Sequence, residues 1–290
     1  RHATSKVRAA CDLERLTALG FRGEALPSIA AVAQLTIASN PPNSALAYTL
    51  RVQDGKASLP EADDAAAGTT VLVERLFYNA PARRKFLKSP RTELGLISDL
   101  IGKLAIAHPG IAFTLINGNH RLIVTDGSGD LSRAVLAVYG RDLLNDLLPL
   151  ASCGTIKISG LIGKPSLNRS NRNCYNFFVN GRTVKSRELT QAVDEAYDTL
   201  LPAQRYPCVF LFLEVPPDSI DVNVHPAKLE IKFRDTALIR REVTEGLKAA
   251  LLKNQDALPH LTKRLPTPII GPSSGGSQLA YEGPPTLAAE

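Results

Sequence analysis

Apolar and polar positions alternate in three short runs near the front of the chain, at residues 35–39, 46–52 and 70–76, and each predicts a β-strand. Asp54-Gly55-Lys56 lies between the last two and reads as a turn. A short helix is expected from Glu24 to about Val32, after Gly20 and Gly23. The period then changes. From residue 90 to 107, Leu94, Ile97, Ile101 and Leu104 recur at helical spacing, and Pro109-Gly110 stops the helix. Asn117-Gly118-Asn119 between two apolar runs predicts a hairpin.

A second unit is expected from about Gly129. It opens with a helix over 131–139, followed by strands at 155–162, 175–179 and 206–215. Ser186 is placed to cap a helix running to about Leu201. In the segment 228–233, Leu229, Ile231 and Phe233 point one way and Lys228, Glu230 and Lys232 the other. Asp235 then caps a helix whose buried face is Ile239, Val243, Leu247 and Leu251. Residues 264–290 are rich in Pro, Gly and Ser without periodicity, and read as a disordered linker. The expected division is 1–128, 129–253 and a linker over 254–290, in a mixed α/β (α+β) chain.

Composition narrows the class. The 290 residues carry 34 Lys and Arg against 28 Asp and Glu, for a net charge of +6, which permits a polyanionic partner without demanding one. Cys11, Cys153, Cys174 and Cys208 are scattered, with no C-x-x-C pair. That spacing argues against zinc and against a disulfide framework, and favours a reducing compartment. No apolar run approaches the roughly 20 residues of a membrane span, and no signal peptide opens the chain. The sequence contains no Met and reads as a fragment of a longer protein.

Four segments carry candidate chemistry. In Gly20-Phe21-Arg22-Gly23-Glu24-Ala25-Leu26, two glycines bracket a cation just before a helix. This is either a phosphate cradle, with backbone N–H groups and Arg22 facing an anion, or a glycine-rich turn with a solvated arginine. Thr4, Ser5 and Lys6 could hold a nucleotide or form a solvated cap. Pro226 fixes the chain ahead of Lys228, which could reach a phosphate as a point charge or sit as an ordinary strand-edge lysine. His225 reads as a turn residue rather than a metal ligand. The stretch from Arg169 to Arg187 holds Arg169, Arg172, Arg182, Lys185 and Arg187, with no acidic residue until Glu188. These cations suit either phosphate-backbone contacts or solvated turns.

Five of the chain's motifs, in order, resemble the MutL family of mismatch-repair ATPases: RHATSK at 1–6, GFRGEAL at 20–26, GTT at 68–70 with LFYNAPARRKF at 76–86, VNGR at 179–182, and DVNVHPAKLEIKF at 221–233. The resemblance implies part of a GHKL (Bergerat-type) α/β sandwich, followed by a ribosomal-protein-like βαβ second domain. It implies an ATP lid in which Thr4, Ser5, Lys6, Gly20, Phe21, Arg22, Gly23 and Glu24 approach the nucleotide, Thr70 lines the pocket, and Lys228 contacts the γ-phosphate. It further implies ATP and Mg2+ as cofactors and non-specific DNA contacts through Arg172, Arg182, Lys185 and Arg187. Expected partners are a second copy of the protein, a MutS-type recognition protein, and a downstream nuclease and helicase, all in the cytoplasm with no membrane. The family's general-base Glu, its magnesium-binding Asn and its D-x-G-x-G segment have no counterpart here and are expected upstream. The 290-residue chain alone is therefore expected to hydrolyse ATP negligibly. A DNA-binding or scaffold module without catalysis is the competing expectation.

Overall fold

The computed structural model describes residues 23–42, 44, 46–221 and 231–253, with the backbone only for Cys153 and Asp221. These residues all fall within one compact unit, Arg1–Leu258. The expected linker lies outside them.

The first sheet grows from short antiparallel strands. β1 (Gln34–Asn40) pairs on one side with β2 (Ala47–Gln53) and on the other with β5 (Gly68–Glu74). β3 (Lys56–Ala57) and β4 (Glu61–Asp63) both pair with β2. The expected turn joins β2 to β3: Asp54 and Gly55 both take positive φ, 52° and 73°, the pair of values a two-residue hairpin loop requires. α1 (Ala25–Ala30) precedes this sheet. After it come α2 (Pro81–Arg84) and α3 (Pro90–Ala107), then the predicted hairpin of β6 (Thr114–Asn117) and β7 (His120–Val124). Ser89 caps α3 by accepting from the Thr92 N–H.

Sequence periodicity located α3, and of its apolar face Leu94, Ile101 and Leu104 are partly buried, but the fully buried positions are others. The buried residues are Gly102, Ala105, Ile106 and Ala107, while Ile97 is exposed. α3 carries apolar side chains most of the way round, so period alone cannot orient it. Small residues decide, because α4 (Leu131–Tyr139) approaches closely at Gly102, where a Cβ would stand 2.8 Å from Val138 Cγ1.

The second sheet has the order β12-β11-β14-β9-β8. Its strands are β8 (Leu147–Cys153), β9 (Lys157–Gly163), β11 (Tyr175–Val179), β12 (Arg182–Val184) and β14 (Val209–Glu214). β11 and β14 run parallel; the other neighbours are antiparallel. Short β10 (Asn168–Arg169) and β13 (Tyr206–Pro207) pair outside this sheet. β8 is not legible in the sequence because Pro149 interrupts it. It lies at the sheet's edge, where a missing N–H donor is tolerated.

Helices cover both faces of this sheet. On one, Phe177, Val179, Leu211 and Leu213 pack under α6 (Arg187–Tyr197) and α7 (Thr236–Lys253). The expected stripe Ile239, Val243, Leu247 and Leu251 is the buried face of α7, and Asp235 caps it by accepting from the Leu238 N–H at 2.9 Å. On the other face, Phe178 and Phe210 pack against Ile106 of α3, Ala134 and Val135 of α4, and Leu143 of α5 (Arg141–Leu144). β15 (Ile220–Asp221) pairs with β16 (Lys232–Phe233). Ile231 and Phe233 are buried and Lys232 is exposed, as alternation predicts.

Gly160 marks the tightest crossing. Its φ is +140°, and a Cβ there would stand 1.9 Å from the Phe210 carbonyl oxygen on β14. Gly160→Ala is therefore expected to lower stability by roughly 2–4 kcal/mol in urea unfolding. Gly55→Ala faces open space at its φ of +73° and is expected to lose only about 1–2 kcal/mol. Equal losses at the two positions would contradict the close β9–β14 approach.

Candidate functional site

Two of the sequence motifs meet beside the first sheet. Gly23 has φ +62°, a left-handed conformation that favours glycine, and the chain enters α1 directly after Glu24. The Glu24 carbonyl accepts from the Ser28 N–H at 3.0 Å. The end of α1 is then held by the segment after β5. The Phe77 N–H donates to the Val32 carbonyl at 2.7 Å, and the Asn79 amide donates to the Ala31 carbonyl at 3.0 Å. On its other flank this segment is tied to the β2–β3 turn. The Tyr78 hydroxyl donates to the Asp54 carboxylate and accepts from the Asp54 N–H. The bond to Asp54 also raises the Tyr78 pKa, because the neutral phenol is the donor.

Arg75 and Phe77 have φ of +49° and +63°, values that non-glycine residues adopt at a cost. Packing and hydrogen bonds hold the connection in this shape. Asp54 stands in the sequence as a turn residue, and Tyr78 and Asn79 lie within the 76–86 motif, but their role as anchors is not legible there: nothing in a linear pattern signals a side chain that caps a helix about fifty residues upstream. Thr70 is exposed on β5 and is paired with Ala38 of β1. Ala38 also pairs with the buried Thr49 of β2, so Thr70 shares a sheet face with a second threonine. Thr4, Ser5, Lys6, Gly20, Phe21, Arg22 and Lys228 lie outside the described residues, as does His225.

The basic segment divides into two kinds of residue. Asn180 and Gly181, with φ of +48° and +74°, make the β11–β12 turn. The Asn180 side chain donates to the Val215 carbonyl at 2.9 Å and accepts from the Val215 N–H at 3.0 Å, so it locks the turn onto the end of β14. In β12, alternation turns Arg182 and Val184 inward. Arg182 is only 8% exposed, and burial pulls its pKa down. This corrects its expected place on an exposed basic surface. Arg172 is also committed. It donates to both oxygens of Asp194, at 2.8 and 3.4 Å, and its guanidinium lies 4.1 Å from the Tyr206 ring centroid. The Asp194 bond raises its pKa. Tyr175 donates to Asp194 at 2.7 Å, and desolvation, helped by that bond, pushes its phenol up as well.

Lys185 and Arg187 are exposed, with no ion pair to another described residue. They flank Ser186, which caps α6 by accepting from the Leu189 N–H at 3.2 Å. Together with Lys103 of α3 and Arg172, they line an open groove of about 930 Å³. Lys103 is paired with Asp99 at 2.7 Å and Arg172 with Asp194, so Lys185 and Arg187, beside the carboxylate of Glu188, are the groove's cations with no ion pair to a described residue. Ile231, three positions after Lys228, lines the same groove. Among the described residues no cluster of three or more His, Cys, Asp or Glu could hold a metal ion, and no helix is long and apolar enough to cross a membrane.

Comparison with known proteins matches this architecture. Residues 135–252 match the family described as "DNA mismatch repair protein, C-terminal domain". The chain is 42% identical over 252 residues to the DNA mismatch repair protein MutL of Symbiobacterium thermophilum, covering 87% of the chain and 40% of that protein. It is 47% identical over 247 residues to MutL of Heliobacterium modesticaldum, covering 83% of the chain and 37% of that protein. The chain thus spans about two fifths of these relatives. Among solved structures, the N-terminal domain of a DNA repair protein superposes with a TM-score of 0.71 at 26% identity, over 84% of this chain and 79% of that one. The Aquifex aeolicus MutL ATPase domain complexed with ADP superposes with a TM-score of 0.56 at 22% identity, over 81% and 80%, which shows a shared fold of the GHKL type. Identity above 40% across most of the chain, carried on that fold, makes the chain a member of the MutL family of DNA mismatch repair proteins.

Proposed function

We propose that this chain supplies the nucleotide lid and the adjoining basic domain of an ATP-driven switch in DNA mismatch repair. The observation that carries this reading is the junction at α1, where the Phe77 N–H and the Asn79 amide hold the helix that follows the Gly23 turn. That junction couples the lid to the edge of the sheet that presents Thr70. Residues 1–128 act as the lid-bearing part, 129–253 as the second domain, and 254–290 as a linker.

ATP is the cofactor of this reading. The positive φ of Gly23 and the exposed Thr70 hydroxyl fit a phosphate-binding lid. Thr4, Ser5, Lys6, Gly20, Phe21, Arg22, Gly23 and Glu24 surround the nucleotide, and Lys228 brings a point charge to its γ-phosphate. Mg2+ belongs to the same reading. Nucleotide binding orders the lid and brings two copies together. The intact protein hydrolyses ATP slowly and relays mismatch recognition from a MutS-type protein to a nuclease and a helicase. It works in the cytoplasm.

DNA is held through Lys185 and Arg187. Their charge is exposed, and each phosphate they neutralise releases a counterion. Arg172 shapes the groove through Asp194 and Tyr206, while Arg182 supports it from inside.

Three outcomes test this reading. In the full-length protein, Lys228→Ala is expected to abolish ATP-induced dimerisation in sedimentation experiments and to leave the urea midpoint unchanged. Undiminished dimerisation would remove Lys228 from the nucleotide site. Asn79→Ala is expected to cost about 1 kcal/mol of stability and to weaken nucleotide binding, read by equilibrium dialysis. Full nucleotide affinity in that variant would uncouple the junction from the lid. A Lys185→Ala/Arg187→Ala pair is expected to flatten the plot of log affinity for DNA against log salt by about 1.8. Arg182→Ala should instead lower stability. An unchanged slope in the paired variant would take both residues off the interface.

A further inference from the structure

Two of the four cysteines, more than thirty positions apart in sequence, meet on neighbouring strands. Cys174 immediately precedes β11 and Cys208 immediately precedes β14. The next residues, Tyr175 and Val209, are register partners in the parallel pair, and the Val209 N–H donates to the Cys174 carbonyl at 3.0 Å. In-register positions on parallel strands project from the same face and lie about 4.8 Å apart. That spacing is within the Cα separation a disulfide accepts. The packing agrees: Cys174 and Cys208 both belong to the core that holds Phe178 and Phe210, on the face turned toward α3 and α4. Both thiols are free and buried.

Buried structural cysteines are ordinarily inert. This pair differs in having polar company. Each thiol shifts the pKa of the other, and the positive charge of Arg169 of β10 acts on Cys208. The Cys174 S–H and the Arg169 guanidinium together favour a thiolate at Cys208 against the desolvation that opposes it, while Cys174 is held protonated. On the same face Asn176 keeps a buried Oδ1 with no hydrogen-bond partner among the described residues. A small oxidant such as a peroxide could donate an O–H to it.

We propose that Cys174 and Cys208 form a redox-active dithiol, which hydroperoxides close to a disulfide that ties β11 to β14. The Cys208 thiolate attacks a peroxide oxygen and breaks the O–O bond. It becomes a sulfenic acid as water or an alcohol leaves. The Cys174 sulfur then attacks the Cys208 sulfur, forming the S–S bond and expelling the sulfenic oxygen as water. Two thiols lose two electrons and two protons, and the peroxide takes up both. The closed loop contains the Asn180–Gly181 turn, Lys185, Arg187 and α6, so oxidation staples the basic edge of the groove to the sheet. In a reducing compartment the bond is transient and is reopened by thiols. None of this depends on nucleotide or DNA binding.

The test uses the full 290-residue chain, reduced and then treated with hydrogen peroxide, denatured, alkylated and mapped by peptide mass spectrometry. The expected product is one cross-linked pair of peptides carrying Cys174 and Cys208, lighter by two hydrogens, with Cys11 and Cys153 alkylated. Dithiothreitol should restore the free thiols. The oxidised protein should melt several degrees above the reduced one, because the cross-link restricts the unfolded chain. In Cys174→Ser, dimedone should trap a sulfenic acid at Cys208. Recovery of both thiols alkylated at a peroxide dose that fully oxidises glutathione would overturn the proposal, as would pairing of either with Cys11 or Cys153. The mapping is done on the unmodified chain, so its outcome does not depend on a variant folding.

Discussion

The parallel pairing of β11 with β14 holds the second sheet together, and most of the other contacts in that half depend on it. Both strands are buried on both faces, which calls for near-continuous apolar sequence of the kind seen in Tyr-Asn-Phe-Phe-Val and Val-Phe-Leu-Phe-Leu. Phe178 and Phe212, register partners on one face, stack with ring centroids 4.5 Å apart. On the opposite face Phe177 and Leu211 meet under α6 and α7. The Asn180 amide closes the end of the pair on Val215, and the Tyr197 hydroxyl fastens α6 to the Gly163 carbonyl of β9 at 2.7 Å. Slipping this register by one residue would exchange the two cores.

The first sheet is held differently. Every residue of β5 is exposed, including Val71, Leu72 and Val73. Its order comes from backbone pairing with β1 and from polar ties: Tyr78 to Asp54, Asn79 to the end of α1, and Ser39 to Thr69 at 2.8 Å. Such ties are worth about 1 kcal/mol each, far less than the burial of a large apolar side chain. The sheet beside the Gly23 turn is thus held by smaller energies than the second sheet, which places it toward the less stable end of the described molecule.

Charge in the groove follows from the same packing. Within the Arg169–Arg187 stretch, one cation is turned into the sheet, one is matched by a carboxylate and an aromatic ring, and one lowers the pKa of a buried cysteine. Lys185 and Arg187 stand clear because they bracket the α6 cap, where Ser186 faces inward and its neighbours face out. The basic edge is therefore narrower than the count of cations implies, and more sharply placed.

Features set within a few residues were legible in the sequence. The Asp54-Gly55 turn and the Asn117-Gly118 hairpin, the caps at Ser186 and Asp235, the α7 stripe and the five ordered motifs all depend on near neighbours, and they gave the family and the α/β class. The tertiary structure alone decided what depends on strands distant in sequence. It chose the buried face of α3 through Gly102 and Val138, admitted Pro149 to an edge strand, buried Arg182, and brought Asn79 to α1 and Cys174 to Cys208. Each of these is a matter of register and close approach between segments tens of residues apart. A side chain's burial, partner and charge state are set across that gap, where local sequence carries no signal.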